Sequence, residues 1–239
     1  MKKLILLLTA VLIATTIQAQ KKIKGNGKIM TVTRTTSDYD VVKFAGPFDY
    51  VLISGAEGTI QIEGEENLLQ YIVTEVKNGI LSIRTKNKVN LQTSRSKTIK
   101  VTVPFEAINA VSLSGSGDVW NENIILASNF QTSITGSGDV TLEIEATTID
   151  ASVTGSGDLT LKGKTNSLKA SVTGSGDYKG SNLSAYDVDV SVTGSGDAKV
   201  ACTGHLKARV SDSGDIQYTG NPKTEDSKVA GSGSINNWN

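Results

Sequence analysis

Asp118, Asp139, Asp158, Asp177, Asp197 and Asp215 each close a short glycine-serine turn, and they carry the repeated chemistry of this chain. The first five end the tetrapeptide Gly-Ser-Gly-Asp. The sixth ends Asp212-Ser213-Gly214-Asp215, and a seventh copy, Gly231-Ser232-Gly233-Ser234, lacks the acid. Successive final residues lie 21, 19, 19, 20, 18 and 19 positions apart. Stacked in a regular repeat, these carboxylates would form a column with a spacing of roughly 4.8 Å. At an effective dielectric near 20, neighbours would repel by roughly 3 kcal/mol. Two arrangements offset that repulsion. In one, each Asp accepts backbone N–H groups inside its own turn and points partly to water. In the other, cations bridge adjacent turns. Calcium favours oxygen-rich sites of this kind, with Ser side chains and turn carbonyls completing the shell. Calcium-binding nonapeptide repeats look similar but recur in tandem nines, so the spacing here assigns no metal ligands.

Other reactive side chains are scarce. Cys202 and His205 are single, which argues against a disulfide framework, a cysteine zinc site, a Ser-His-Asp triad and a multi-histidine centre. Cys202 falls on the inward parity of its strand and reads as a small core residue. His205 follows Gly204 at a turn and reads as a polar surface residue. With 24 basic and 24 acidic residues there is no basic footprint for nucleic acid.

The elements that position the acids follow from alternation. Leu159-Thr160-Leu161 and Leu168-Lys169-Ala170-Ser171-Val172-Thr173 flank a turn-rich stretch at 163–167, and neighbouring repeats share this pattern. Period-two alternation over four to six residues marks half-buried strands. Between Phe105 and Asn221 there is no proline to break a hydrogen-bond ladder. A 19-residue unit cannot bury its own apolar face, but stacked units can. The expected fold is all-β, a right-handed parallel β-helix with about 19–20 residues per rung. One inward column would hold Ile134, Val153, Val172, Val192, Val210 and Val229. A second would hold Thr132, Ala151, Ala170, Val190 and Ala208. Aromatics are only 5% of the chain, as a narrow bore requires. Glycine supplies positive φ at the turns. Ser112, Ser133, Ser152, Ser171 and Ser191, with Thr135, Thr154, Thr173 and Thr193, would form outward hydroxyl columns. Such a surface would suit a carbohydrate or ice-like lattice, but ordinary strand packing accounts for it, since Thr favours β surfaces.

The start of the chain differs. Lys2 and Lys3, the apolar run Leu4–Ile13 and the small residues up to Ala19 read as a signal peptide over 1–19. The apolar run is too short to span a membrane, so no transmembrane segment is expected in the mature chain. Residues 20–38 read as a mobile polar leader. A single β-helix domain then covers 39–239, with opening rungs and an irregular N-terminal cap over 39–104 and the Gly-Ser-Gly-Asp repeats over 105–239. Strands are expected at 41–44, 50–53, 59–62, 80–83 and 98–103, a short helix near 65–71 and a polar loop over 86–96.

With these residues in hand, the chain resembles the putative auto-transporter adhesin, head GIN domain family, a group of Bacteroidetes envelope β-helix proteins. The resemblance rests on the repeated Ser-Val-Thr-Gly-Ser-Gly-Asp, as at 152–158, on the closing segment 229–236, and on 44–62 with Asn78-Gly79-Ile80-Leu81. It implies a right-handed parallel β-helix in the cell envelope and brings no catalytic residues. A true autotransporter carries a C-terminal membrane barrel. Asn239 ends this sequence without one, so export through its own barrel is not expected.

The function expected is a non-enzymatic exported envelope or surface module, in the periplasm, on the outer surface or secreted. Its polar columns would bind a glycan or an envelope protein. A β-helix polysaccharide lyase or hydrolase, or a structural spacer, are the alternatives. An enzyme would need unlike groups clustered once, whereas these acids repeat identically. No cofactor is called for, calcium being the one candidate.

Overall fold

An alternating chain with small inward side chains buries its apolar face by laying one winding on the next in register. The computed structural model describes residues 20–238 and is 68% strand and 2% helix, wound about seven times into a parallel β-solenoid. The expected signal peptide, 1–19, lies outside the described residues.

The N-terminal strands are β1 (Lys21–Lys24), β2 (Ile29–Thr35), β3 (Val41–Gly46), β4 (Asp49–Ser54) and β5 (Thr59–Glu65). They continue with β6 (Ile72–Lys77), β7 (Ile80–Thr85), β8 (Val89–Gln92) and β9 (Lys100–Phe105), with one helical turn, α1 (Glu66–Leu69), before β6. The repeats hold β10 (Ala110–Gly115), β11 (Val119–Asn121), β12 (Ile125–Gly136), β13 (Val140–Gly155), β14 (Leu159–Gly174) and β15 (Tyr178–Gly194). The last strands are β16 (Ala198–Cys202), β17 (His205–Asp212), β18 (Ile216–Thr219), β19 (Thr224–Gly231) and β20 (Ile235–Asn237). From β10 onward every pairing is parallel.

The expected columns form. Ile134 sits over Val153, and Val172, Val192 and Val210 follow in register, all buried. Thr132, Ala151, Ala170, Val190 and Ala208 make the second buried column. Burying each valine or isoleucine is worth roughly 1.5–3 kcal/mol. Val229 departs from the expectation at 39% exposed, because none of the described residues covers β19 on its far side. The stretch at 163–167 is a corner inside the continuous β14, not a break between strands. Thr165 turns inward there, and its hydroxyl donates toward Thr147 O or Ser167 O, each 3.1 Å away. The bore also takes some large rings. Phe130 and Tyr178 are buried, and Gly180 leaves room for the Tyr178 ring, which a Cβ would approach to 2.5 Å.

The two turn glycines do different work. The first has positive φ, +122° at Gly155 and +119° at Gly174, where a side chain is strained. The second, as at Gly157, has ordinary φ, but a Cβ there would lie 2.1 Å from Gly138 O of the previous winding. Positive φ therefore explains only half of the motif.

The opening half forms windings and a cap, in an order the sequence does not suggest. β3 pairs in parallel with β7 on one side and β10 on the other, and β4 likewise lies between β9 and β11. The winding at 41–54 is thus second along the axis, and 80–105 lies outside it. Three strands then run antiparallel and cover that end: β5 on β9, β2 on β5, and β6 on β7. Phe44 stacks on Tyr50 at 4.0 Å between ring centres, filling this wider end.

Residues 20–38 are not a free leader. β1 pairs with β8, inside the segment expected as a loop, and β2 joins the cap. Arg34 Nη1 and Nη2 donate to Ile72 O and Leu69 O at 2.6 and 2.7 Å, satisfying a carbonyl at the end of α1. Glu65, fully buried, accepts the amide of Gly27 at 2.5 Å and both the amide and hydroxyl of Ser94 at 2.7 and 2.6 Å. These bonds fasten the segment, which its polar composition alone does not reveal.

Burial pushes the Glu65 carboxyl upward, but the Ser94 and Gly27 bonds and the Lys97 charge outweigh it and hold its pKa below the ordinary glutamate value. A carboxyl with a depressed folded pKa stabilises above its unfolded value and loses that contribution as pH falls through the folded one. Glu65→Gln is expected to cost about 2 kcal/mol at pH 7. Urea melts should show the gap to wild type closing as pH falls below the ordinary carboxyl range. Gly157→Ala is expected to cost at least about 2 kcal/mol by backbone collision, while Ser156→Ala should stay within about 0.5 kcal/mol. Thermal melts of the pair check this.

Candidate functional site

The six aspartates stand in one column, one per winding, at the corner after each Gly-Ser-Gly turn or, for Asp215, after Asp212-Ser213-Gly214. Backbone bonding across that corner reverses direction. Before it, Ser175 and Gly176 N–H both donate back to Gly155 O, at 2.8 and 3.0 Å. After it, Tyr178 N–H donates forward to Asp197 O at 2.8 Å. The Asp177 amide sits at the reversal, facing the previous winding, and its acceptor is the side chain of Asp158 at 3.0 Å.

Each winding from Asp139 onward repeats this bond. Asp139 N–H donates to Asp118 Oδ1 at 3.3 Å, and Asp158 to Asp139 at 2.9 Å. Asp197 donates to Asp177 and Asp215 to Asp197, each at 2.9 Å. Ser234, which replaces the acid in the last copy, closes the series by donating its amide and hydroxyl to Asp215 at 2.7 and 2.8 Å. Each carboxylate therefore accepts from the next winding, not from within its own turn as the sequence suggested. The difference arises because stacked turns bring the following amide within reach.

Sequence reasoning missed a basic neighbour of the column. Lys179, two residues after Asp177, reaches across to Asp158 Oδ2 at 2.5 Å. That bond holds the Lys179 ammonium above its ordinary pKa, with burial opposing and the Asp158, Asp177 and Asp139 charges adding to it. Asp49 also belongs to the column. Gly46 pairs with Gly115 and Tyr50 with Val119, which aligns Asp49 with Asp118. Burial raises the Asp49 pKa, a Thr98 hydrogen bond lowers it, and Asp118 raises it further. Its turn reads Gly46-Pro47-Phe48-Asp49, so only the Gly-x-x-Asp spacing before an apolar strand signals it.

Other surfaces flank the column. The hydroxyl columns lie in register, and Ser133 Oγ donates to Ser112 Oγ at 3.0 Å. Beside them runs a row of alternating charge, Asp150, Lys169, Asp189, Lys207 and Asp226, with Lys207 Nζ at 2.7 Å from Asp189. At the opposite corner an open groove of about 650 Å³ runs across successive windings. Its lining includes Glu145, Thr147, Lys164, Asn166 and the 42% exposed Tyr186.

Cys202 is buried, with Sγ at 3.4 Å from Tyr186 O, and burial pushes its thiol pKa up. His205 is exposed, with Nδ1 at 2.5 Å from Thr224 Oγ1. Among the described residues no three His, Cys, Asp or Glu side chains are grouped to hold a metal ion, and no helix is long and apolar enough to cross a membrane.

This geometry defines a parallel β-solenoid with an aspartate turn ladder. The chain belongs to the family described as "Putative auto-transporter adhesin, head GIN domain", whose profile matches residues 38–222. Its fold is similar to that of a putative adhesin from Bacteroides fragilis, with TM-score 0.84 and 24% identity over 90% of this chain and 100% of that one. A putative lipid binding protein from Parabacteroides distasonis gives TM-score 0.73 and 26% identity over 92% and 100%. A putative adhesin from Parabacteroides merdae gives 0.72 and 22% over 92% and 100%. No curated protein matches the chain.

The amide bonds separate a structural role for the column from an ionic one. Asp177→Asn keeps an oxygen for the Asp197 amide and should stay within about 0.5 kcal/mol of wild type. Asp177→Ala should cost about 1–3 kcal/mol. Denaturant melts of both variants check the pair, and equal losses would point to the charge instead.

Proposed function

We propose that this chain is a non-enzymatic module of the cell envelope or surface that holds an extended glycan against the side of its solenoid. The observation that carries the reading is the groove lined by Thr147, Asn166 and Tyr186. Successive windings bring a hydroxyl, an amide and an aromatic group into line there, one from each winding, and the groove is open and runs with the axis. A polymer of repeating sugars offers matching hydroxyls along its length, and an exposed aromatic edge offers a surface for a pyranose ring. That one oxygen of each aspartate is engaged by the next winding's amide favours a structural over a catalytic role for the column. Membership of an adhesin family supports both the envelope location and the binding role.

The test is a glycan array followed by calorimetry with the strongest oligosaccharide. Asn166→Ala with Tyr186→Ala is expected to weaken binding at least about tenfold, since hot-spot side chains of this kind contribute above 1 kcal/mol each. The melting temperature should be unchanged. Silence across the array, or equal binding by the variant, would overturn the reading, and cleavage of any glycan would point to an enzyme.

A further inference from the structure

The two ends of the solenoid are finished differently. One is covered by the antiparallel strands β2, β5 and β6. At the other, β19 pairs only with β17 and β20 only with β18 among the described residues, so each keeps one open edge. All eight residues of β19 are exposed. An open strand edge above an apolar bore is a template for pairing with another chain.

The inward positions of this winding break the pattern of those beneath it. Phe130, Ile149, Leu168, Val188 and Leu206 form one buried column, and the next residue in register is Glu225. The column ending in Val190 and Ala208 continues as Ser227. Beyond Val200 and Tyr218 comes Asn237. Only Val229 and Ile235 keep the apolar character of Val210 and Ile216 below them. The polar groups are joined to each other. Tyr218, the last aromatic of the bore, donates its hydroxyl to Glu225 Oε2 at 2.7 Å, and Ser227 donates its hydroxyl to Glu225 Oε1 at 2.5 Å.

We propose that Glu225, Ser227 and Asn237 form a polar stop that keeps this end from docking onto the same end of a second copy. A two-fold arrangement would set β19 against the β19 of the second copy and bury both Glu225 carboxylates between the two bores. Stripping water from two like charges there is unfavourable, and an inward-pointing charge is a known means of blunting an edge. The second copy is the relevant partner because its end offers the same winding outline and the same open ladder.

The test converts the stop back to the pattern below it. Glu225→Leu, Ser227→Ala and Asn237→Val are combined in the purified protein, and mass is followed by light scattering over a range of concentrations. Wild type should remain monomeric. The triple variant should double in mass as concentration rises, and amide exchange should slow within 224–231. Adding Val229→Lys at the same end should abolish the association. If the triple variant loses its cooperative melt, Glu225→Leu alone is measured to the same criteria. A monomeric folded variant, association that survives Val229→Lys, or wild type pairing through 224–231 would each overturn the proposal.

Discussion

Parallel stacking depends on each corner satisfying its amides while the backbone bonding reverses direction. At the Gly-Ser-Gly-Asp corner two amides share one glycine carbonyl, and the third would be left without a partner. The aspartate of the previous winding supplies the missing acceptor. An unmade bond at a closely packed corner costs more than a made one gains. The acid therefore recurs for a reason internal to the backbone. Its regularity does not require a ligand, although the second oxygen of each carboxylate remains available to solvent or to a side chain such as Lys179.

The same close approach sets the glycines. Carbonyls of one winding sit where a Cβ of the next would stand, so these two turn positions favour glycine. Asp212 tests the rule from the other side. It occupies the first turn position with φ of +80°, a conformation aspartate tolerates better than most residues. Between corners, stability comes from narrow columns of valine, leucine and alanine, each winding covering the one before it. Surface ion pairs such as Lys164 with Glu145 are exposed and add little by comparison.

The repeated half was legible because its period, alternation and turn residues all point to one register. Ile134 through Val210 could be placed inward from spacing alone. What escaped notice depends on pairing between distant segments. Lys21–Lys24 and Val89–Gln92 each look too polar and short for a strand until they are set side by side. Ile72–Lys77 has the alternation of a strand but follows a helical turn that obscured its start. Asp49 was hidden by Pro47 and Phe48, which replace the small turn residues. The groove was not visible either. Thr147, Asn166 and Tyr186 share no residue type, and only the stacking of the corners brings them into line.

The interleaving of 41–54 between 80–105 and 110–121 has a consequence for how the solenoid comes into being. A simple coil could accrete turn by turn from its N-terminus as the polypeptide appears. Here the earliest turn waits for two later stretches, one for each of its faces. Nucleation at this end carries the longest loop closures, while extension toward β20 needs only nearest-neighbour contacts. The slow event in forming the molecule thus sits at the aromatic-rich base, and growth beyond it proceeds like a zipper.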